Sequence, residues 1–159
     1  MIHHNLMNGV SATSFNPDGT ITRAQFVTIL YRAAGSPAVS GISKFSDVAA
    51  GQWYTAPVIW ASQNSIVNGV SATSFAPDAS VTREQIATFL YRYVKPSTVS
   101  EDVLAAYADG ASVSSYAVQP MRWAVSEGII SGSNGMLLPQ NVATRAQVCA
   151  IFMNLLTND

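Results

Sequence analysis

Three Thr-Arg pairs recur along the chain and carry its clearest chemical signal. They are Thr22-Arg23, Thr82-Arg83 and Thr144-Arg145. Each arginine is predicted at the first position of a helix, where the helix dipole normally favours an acid. An arginine beside free backbone N–H groups can bind an anion, and its planar fork can hold a carboxylate through two hydrogen bonds. The three pairs therefore predict anion-binding sites.

A structural role for these arginines is the alternative. Arg23 could pair with Asp18, and Arg83 with Asp78, which would fix a loop without any ligand. Arg145 has no such acid, because Gln140 stands in the corresponding loop. Spacing alone leaves both roles open.

Nothing in the pattern of residues indicates catalysis. The two histidines, His3 and His4, are adjacent near the N-terminus, so no Ser-His-Asp or Cys-His set is expected within the repeats. Adjacent histidines also have poor geometry for sharing a metal ion. The acids are scattered on predicted loops, without the opposed carboxylate pair that glycoside hydrolysis requires. We expect no catalytic residue, no metal site and no cofactor.

Composition excludes several classes of partner. Charged residues make up 11% of the 159 residues, against about 25% in a typical soluble domain. The net charge is −1 and no run of Lys or Arg occurs, so nucleic acid is not an expected partner. No apolar stretch approaches the roughly 20 residues that span a bilayer. A polar, weakly charged surface favours an exported protein.

The threonine of each pair is predicted to begin a helix. A glutamine follows each threonine three positions later, which is the arrangement of a capping box. Behind each cap, apolar residues recur at the i, i+3, i+4 and i+7 positions of an amphipathic helix. These residues are Phe26, Ile29, Leu30 and Ala33; Ile86, Phe89, Leu90 and Tyr93; and Val148, Ile151, Phe152 and Leu155. The three stripes predict helices that pack together as a central bundle.

The chain is a repeat protein. Residues 8–15 recur letter for letter 60 residues later, and a third copy is more diverged. An additional helix is predicted over Tyr54–Asn64 and again from Tyr116 to Ser126, each followed by a glycine that ends it. An ordered loop then carries an apolar plug and a proline. The predicted repeats cover residues 1–37, 38–98 and 99–159.

The second repeat resembles the S-layer homology domain. The residues that carry the resemblance are Phe45-Ser46-Asp47-Val48, Trp53-Tyr54, Ile59, Ala61, Ile66, Gly69, Phe75, Pro77 and Thr82-Arg83-Glu84-Gln85. The resemblance implies an all-α, pseudo-threefold bundle of helix-loop-helix repeats with ordered, protruding loops. It also implies grooves that bind a pyruvylated secondary cell-wall polysaccharide, and hence non-covalent anchoring at the surface of a Gram-positive bacterium.

The resemblance maps the family's Thr-Arg-Ala-Glu motif onto the three Thr-Arg pairs, with Gln in place of the final Glu. Further candidate glycan ligands are Trp53, Asp47, Asp109 and Gly69. Trp60 and Trp123 are predicted in the core instead. Asp47 and Asp109 could alternatively cap the turn that follows each of them.

The first repeat begins in the middle of the motif. Leu6-Met7-Asn8-Gly9 aligns with Ile66-Val67-Asn68-Gly69, so a first helix is missing before it. Either the chain is a cut fragment, or another chain fills this gap. The apolar face left exposed by the gap favours an assembly, with a homo-oligomer formed by domain exchange as the specific hypothesis. The alternative function is a structural surface protein that assembles into a sheet or filament through contacts between its repeats.

Overall fold

The computed structural model describes residues 18–97 and 102–157, and these residues form helices joined by ordered loops. The chain divides into two compact units, Met1–Val81 and Thr82–Asp159. The described part of the first unit contains α1 (Arg23–Ala33) and α2 (Thr55–Gln63). The second unit contains α3 (Arg83–Val94), α4 (Val118–Ser126) and α5 (Arg145–Thr157). The other helical elements described in this unit are three one-turn 3₁₀ helices, at Leu104–Ala106, Gly110–Ser112 and Ser115–Ala117.

The predicted all-α class is confirmed. Extended pairing within the described ranges is limited to isolated bridges, of which two join the residue before a helix to a loop. Thr22 pairs in this way with Ser80, and Thr82 with Val142. The pseudo-threefold arrangement of the repeats stays a prediction. No helix in residues 18–97 and 102–157 is both long enough and apolar enough to cross a membrane.

Capping boxes begin α1, α3 and α5, as predicted. In α1, the Gln25 N–H donates to Thr22 Oγ1 at 3.1 Å, and the Thr22 N–H donates to Gln25 Oε1 at 2.8 Å. The same reciprocal pair joins Thr82 to Gln85 and Thr144 to Gln147. Each box satisfies two backbone donors near a helix start.

The predicted apolar stripes are buried, apart from their ends. In α1 and α3 the stripe is buried up to Leu30 and Leu90, while Ala33 is exposed and Tyr93 is half-buried. All four stripe residues of α5 are buried. The expected packing of the three stripes against one another stays a prediction.

Each unit combines parts of two neighbouring sequence repeats. In the first unit, α1 packs on α2, and Tyr31 meets Trp60 edge to face with ring centroids 5.6 Å apart. In the second, α3 packs on α4 through the equivalent contact of Tyr91 with Trp123 at 5.8 Å. Both tryptophans are buried, which confirms their predicted core role. The boundaries of the sequence repeats stay a prediction, since a compact unit and a sequence repeat divide the chain differently.

The predictions for the start of the chain fall outside the described residues. They concern His3, His4, the recurring segment at residues 8–15 and the missing first helix.

Candidate functional site

The three predicted arginines occupy equivalent and unusual places. Arg23, Arg83 and Arg145 are the first residues of α1, α3 and α5, and their exposed fractions are 4%, 8% and 8%. Arginine is seldom buried without partners that satisfy its N–H groups. Burial at a helix start therefore requires acceptors from elsewhere in the fold.

Backbone carbonyl groups of the next repeat hold the guanidinium groups of Arg23 and Arg83. Arg23 Nε donates to the Phe75 carbonyl at 2.9 Å, and Arg23 Cζ lies 4.8 Å from the centre of the Phe75 ring. Arg83 Nε donates to the Leu137 carbonyl at 2.8 Å, and its Nη2 donates to the Ser131 carbonyl at 2.8 Å. Both arginines thus tie the start of a helix to a segment more than 45 residues later.

The expectation of free backbone N–H groups beside the arginines is wrong for α1 and α3. The N–H groups of Arg23 and Ala24 donate to the carbonyls of Ala79 and Pro77, at 2.8 and 3.0 Å. In α3, the N–H groups of Arg83 and Glu84 donate in the same way to the carbonyls of Asn141 and Pro139. The loop of the next repeat therefore occupies the helix end that the sequence predicts as an anion site.

The alternative pairing of Arg83 with Asp78 stays a prediction, because the two residues belong to different units. Within the second unit, the Arg83 side chain donates to two carbonyl oxygens, and no described carboxylate of that unit lies within ion-pair distance of it. Burial lowers the pKa of Arg83 from its usual value, and the nearby charge of Asp109 opposes that shift. Arginine stays charged at neutral pH regardless. The pairing of Arg23 with Asp18 stays a prediction.

Asp47 and Asp109 each accept hydrogen bonds from a turn in the loop whose carbonyl group accepts from the arginine. Asp47 accepts from the N–H groups of Phe75 and Ala76 at 2.9 and 2.8 Å. Asp109 accepts from Leu137 and Leu138 at 2.7 and 2.8 Å. The capping role expected of these aspartates is thus present, but the capped turn lies 28 residues later and not directly after them.

These turns are strained, and the aspartates stabilise them. Ala76 and Leu138 adopt the left-handed conformation, with φ of 59° and 54°. That conformation costs a residue with a side chain about 1–2 kcal/mol, which hydrogen bonds to a charged acceptor can offset. Desolvation alone would raise the pKa of Asp47, but the hydrogen bonds from the loop outweigh it and lower that pKa. Asp109 behaves in the same way, with Arg83 adding to the lowering of its pKa.

The remaining candidates have different surroundings. Gly69 has a φ of +83°, and a Cβ atom there would lie 2.5 Å from the Phe45 ring, so only glycine fits the turn. Trp53 is 58% exposed and meets the ring of Tyr54 edge to face at 5.0 Å. The three threonines use their hydroxyl oxygens as helix caps. Arg23, Asp47 and their shared loop are brought together, whereas Trp53 has no described contact with them.

Sequence reasoning missed two features of the site. The apolar plug of the third repeat's loop is Leu137: like Phe75 it is buried, its N–H donates to an aspartate and its carbonyl accepts from an arginine. Glu84 is 3% exposed and makes four hydrogen bonds to the third repeat. One sequence signal could have indicated Glu84: it is an acid at a position where the other two repeats have alanine, Ala24 and Ala146.

A cleft of about 250 Å³ opens beside Arg83. Its apolar walls include Ile129, Ile130, Met136 and Ile151, and its polar groups include Gln147 and Asn154. None of its lining residues is an acid. The cleft therefore combines one buried cation with apolar surface, which suits a small anion that carries an apolar group.

Comparisons with known proteins give the family. The model of the S-layer homology domain matches residues 1–27, 44–87 and 106–149. The chain is 32% identical to the surface-layer 125 kDa protein of Lysinibacillus sphaericus, over 99% of this chain and 14% of that protein. It is 30% identical to an amylopullulanase of Thermoanaerobacterium thermosulfurigenes, over 95% of this chain and 8% of the enzyme.

The middle cell wall protein of Brevibacillus brevis is 28% identical, over 97% of this chain and 14% of that protein. The chain thus spans a small part of each curated relative that it matches. The matched segments include the Thr-Arg pairs at 82–83 and 144–145, and the loops that Asp47 and Asp109 hold. With three matches covering most of its length, the chain belongs to the S-layer homology domain family.

Proposed function

We propose that this chain anchors a protein at the bacterial cell surface by binding an anionic, pyruvylated secondary cell-wall polysaccharide. Membership of the S-layer homology family supports the anchoring role, because domains of this family are non-catalytic modules of surface-layer and cell-wall proteins. The surface-layer and cell-wall relatives support a cell-surface location. The nature of the ligand rests on the Arg83 cleft.

Unused hydrogen-bonding capacity at Arg83 is the observation that carries this proposal. An arginine has five N–H donors, and the contacts to Leu137 and Ser131 use two of them. Nη1 therefore keeps both of its hydrogens for a ligand, as far as the described residues are concerned. Together, Nη1 and Nη2 present the edge of the guanidinium group that matches a carboxylate.

The walls of the cleft favour one kind of carboxylate. In a pyruvate ketal, a carboxylate and a methyl group are attached to the same carbon of the substituent. The carboxylate would pair with Arg83, while the methyl group would contact the apolar wall formed by residues such as Ile130 and Met136. No lining acid opposes the negative charge.

The other predicted ligands complete the proposal. Arg23 and Arg145 share the helix position and burial of Arg83, so we include both as carboxylate ligands of further sites. The exposed ring of Trp53 would stack on the face of a sugar. Asp47, Asp109, Gly69 and the three threonines would act by shaping the loops, in addition to any direct contact with glycan.

Calorimetric titration tests this function. A sugar carrying a pyruvate ketal should bind, whereas the same sugar without the ketal, or with its carboxylate methylated, should bind at least tenfold more weakly. Arg83→Ala should cost about 1.5–3 kcal/mol of binding free energy, the range for a hydrogen bond to a charged group. Arg32→Ala is the matched control, since Arg32 is an exposed arginine in the last turn of α1.

Equal binding of the pyruvylated and unmodified sugars would rule out the carboxylate mechanism. Self-assembly into a sheet or filament would then be the better function, and electron microscopy of the purified chain would detect it. Domain exchange through the first repeat stays a prediction, which light scattering of the chain at several concentrations would test.

A further inference from the structure

Glu84 is a buried acid at the second position of α3, with four neutral hydrogen-bond donors around it. Its carboxylate accepts from the Ser114 N–H at 3.0 Å and from Ser114 Oγ at 2.5 Å. The Tyr116 hydroxyl donates to it at 3.2 Å, and Gln140 Nε2 donates at 2.9 Å. A buried carboxylate is tolerated when hydrogen bonds replace its hydration. Glu84 therefore joins α3 to two separate segments of the third repeat.

Both residues of the Glu84–Gln140 contact are replaced by other residue types at the equivalent positions of the first unit. In the first unit, the position equivalent to Glu84 is Ala24, and the loop position equivalent to Gln140 is Asp78. The first unit thus has its acid on the loop, whereas the second unit has its acid on the helix. An aspartate at position 140 would place two carboxylates close together, and such pairs resist being charged at the same time. The glutamine avoids this repulsion and donates a hydrogen bond instead.

The loop that Gln140 belongs to also forms part of the Arg83 site. Its Leu137 carbonyl holds Arg83 Nε, and its Pro139 and Asn141 carbonyls accept from the first two N–H groups of α3. Gln140 Nε2 makes a second contact, to the Ser112 carbonyl at 2.8 Å. We therefore expect a change at residue 140 to shift the Leu137 carbonyl, which positions Arg83.

We propose that Glu84 and Gln140 are a matched pair of positioning residues, which specifies that the third repeat's loop docks on α3 and thereby sets the Arg83 cleft. The pair makes this docking distinct from that in the first unit, where Ala24 lies on the helix and Asp78 on the loop. Its consequence for glycan binding rests on the function proposed above, whereas the pairing itself can be tested without a ligand.

Hydrogen exchange of single backbone amides provides the test. The Leu137 and Leu138 amides donate to Asp109 and report on the loop of the second unit. The Phe75 and Ala76 amides donate to Asp47 and serve as an internal control in the same molecule. Gln140→Asp should speed exchange at Leu137 and Leu138 by about tenfold or more, because it replaces a hydrogen bond with repulsion. Exchange at Phe75 and Ala76 should not change.

The Glu84→Ala background separates a matched pair from two independent contacts. With alanine at position 84, as at position 24, Gln140→Asp should speed exchange at Leu137 and Leu138 at least about threefold less than it does in the wild-type chain, since the repulsion is gone and only the contact to Ser112 is lost. Asp78→Gln, the reverse exchange in the first unit, should alter exchange at Phe75 and Ala76 by less than about threefold, since Asp78 is exposed and faces no acid at position 24. An equal acceleration by Gln140→Asp in the wild-type chain and in the Glu84→Ala background would overturn the proposal.

The ligand then provides a second readout. Gln140→Asp should weaken binding of a pyruvylated sugar by about tenfold, and most of this weakening should be absent when the same substitution is made in the Glu84→Ala background. If the wild-type chain binds no such sugar, the function proposed above fails, while the exchange data still decide whether the pair is matched.

Discussion

Asp109 and Arg83 hold the same residue from opposite sides. Asp109 accepts from the N–H of Leu137 at 2.7 Å, and Arg83 donates to the carbonyl of Leu137 at 2.8 Å. In the first unit, Asp47 and Arg23 hold Phe75 in the same way, with both distances at 2.9 Å. In each unit the aspartate carboxylate stabilises the strained turn. The carbonyl group of that turn then orients the arginine guanidinium group. The candidate glycan site therefore depends on an acid that need not touch the glycan.

We expect Asp109→Asn to destabilise the protein by about 1–3 kcal/mol. The amide keeps the shape of the side chain, but it loses the charge and leaves one loop N–H facing an NH₂ group. Urea unfolding monitored by circular dichroism would measure the loss. Asp78→Asn is the control, because Asp78 is exposed and a surface change of this kind is usually within about 0.5 kcal/mol. Equal stability of the two variants would contradict the structural role of Asp109.

The lowered pKa values of Asp47 and Asp109 predict a loss of stability in acid. A carboxyl group whose pKa is lower in the folded than in the unfolded protein adds stability above its unfolded value, here 3.8. That stability disappears as the pH falls through the lower, folded value. The free energy of unfolding should therefore decline below about pH 4.

Unfolding of the wild type and the Asp47→Asn/Asp109→Asn double variant across this pH range would measure the contribution. The double variant should be less stable at pH 7 and should lose less stability on acidification. Parallel pH profiles for the two proteins would show that these aspartates do not cause the decline.

Gly69 and Gly51 provide a matched pair for separating backbone strain from steric clash. Both have a φ of +83°, but a Cβ atom at Gly69 would lie 2.5 Å from Phe45 and 2.6 Å from two carbonyl oxygens. A Cβ atom at Gly51 would meet nothing within 4 Å. Gly51→Ala should cost about 1–2 kcal/mol from strain alone, and Gly69→Ala about 1–3 kcal/mol more. Thermal unfolding would show whether this difference exists, and equal losses would argue against close packing on Phe45.

Trp123 and Trp53 should separate stability from binding. Trp123 is 4% exposed and packs on Tyr91, so Trp123→Ala should cost about 3–5 kcal/mol of stability. Trp53 is largely exposed, so Trp53→Ala should change stability by less than about 1 kcal/mol while weakening glycan binding. Denaturant unfolding and calorimetric titration of the same two variants would measure both quantities. Unchanged glycan affinity in Trp53→Ala would remove Trp53 from the site.

Local patterns predicted the helices well because their causes lie within a few residues. The Thr22–Gln25 box connects residues three apart, so the start of α1 could be predicted to the residue. The additional helix predicted over Tyr54–Asn64 is observed at Thr55–Gln63, although no side-chain cap begins it and it ends at its C-cap Asn64, well before the predicted breaker Gly69. The expectation of free N–H groups at the start of α1 was wrong, because the Arg23 and Ala24 N–H groups donate to carbonyls more than 50 residues away. No local pattern indicates which distant loop will supply those acceptors.

The sequence by itself determined the family, the all-α class, the helix starts and the buried faces, since capping and amphipathic periodicity act over one or two helical turns. Tertiary structure alone decided that Arg23 and Arg83 are held by the next repeat's loop, that Asp109 grips Leu137, and that Glu84 meets Gln140. Those contacts join residues 28 to 56 positions apart. The packing of helices and loops determines which residues meet in these contacts. Every residue carries a backbone carbonyl, so the sequence does not indicate which carbonyl will accept from an arginine.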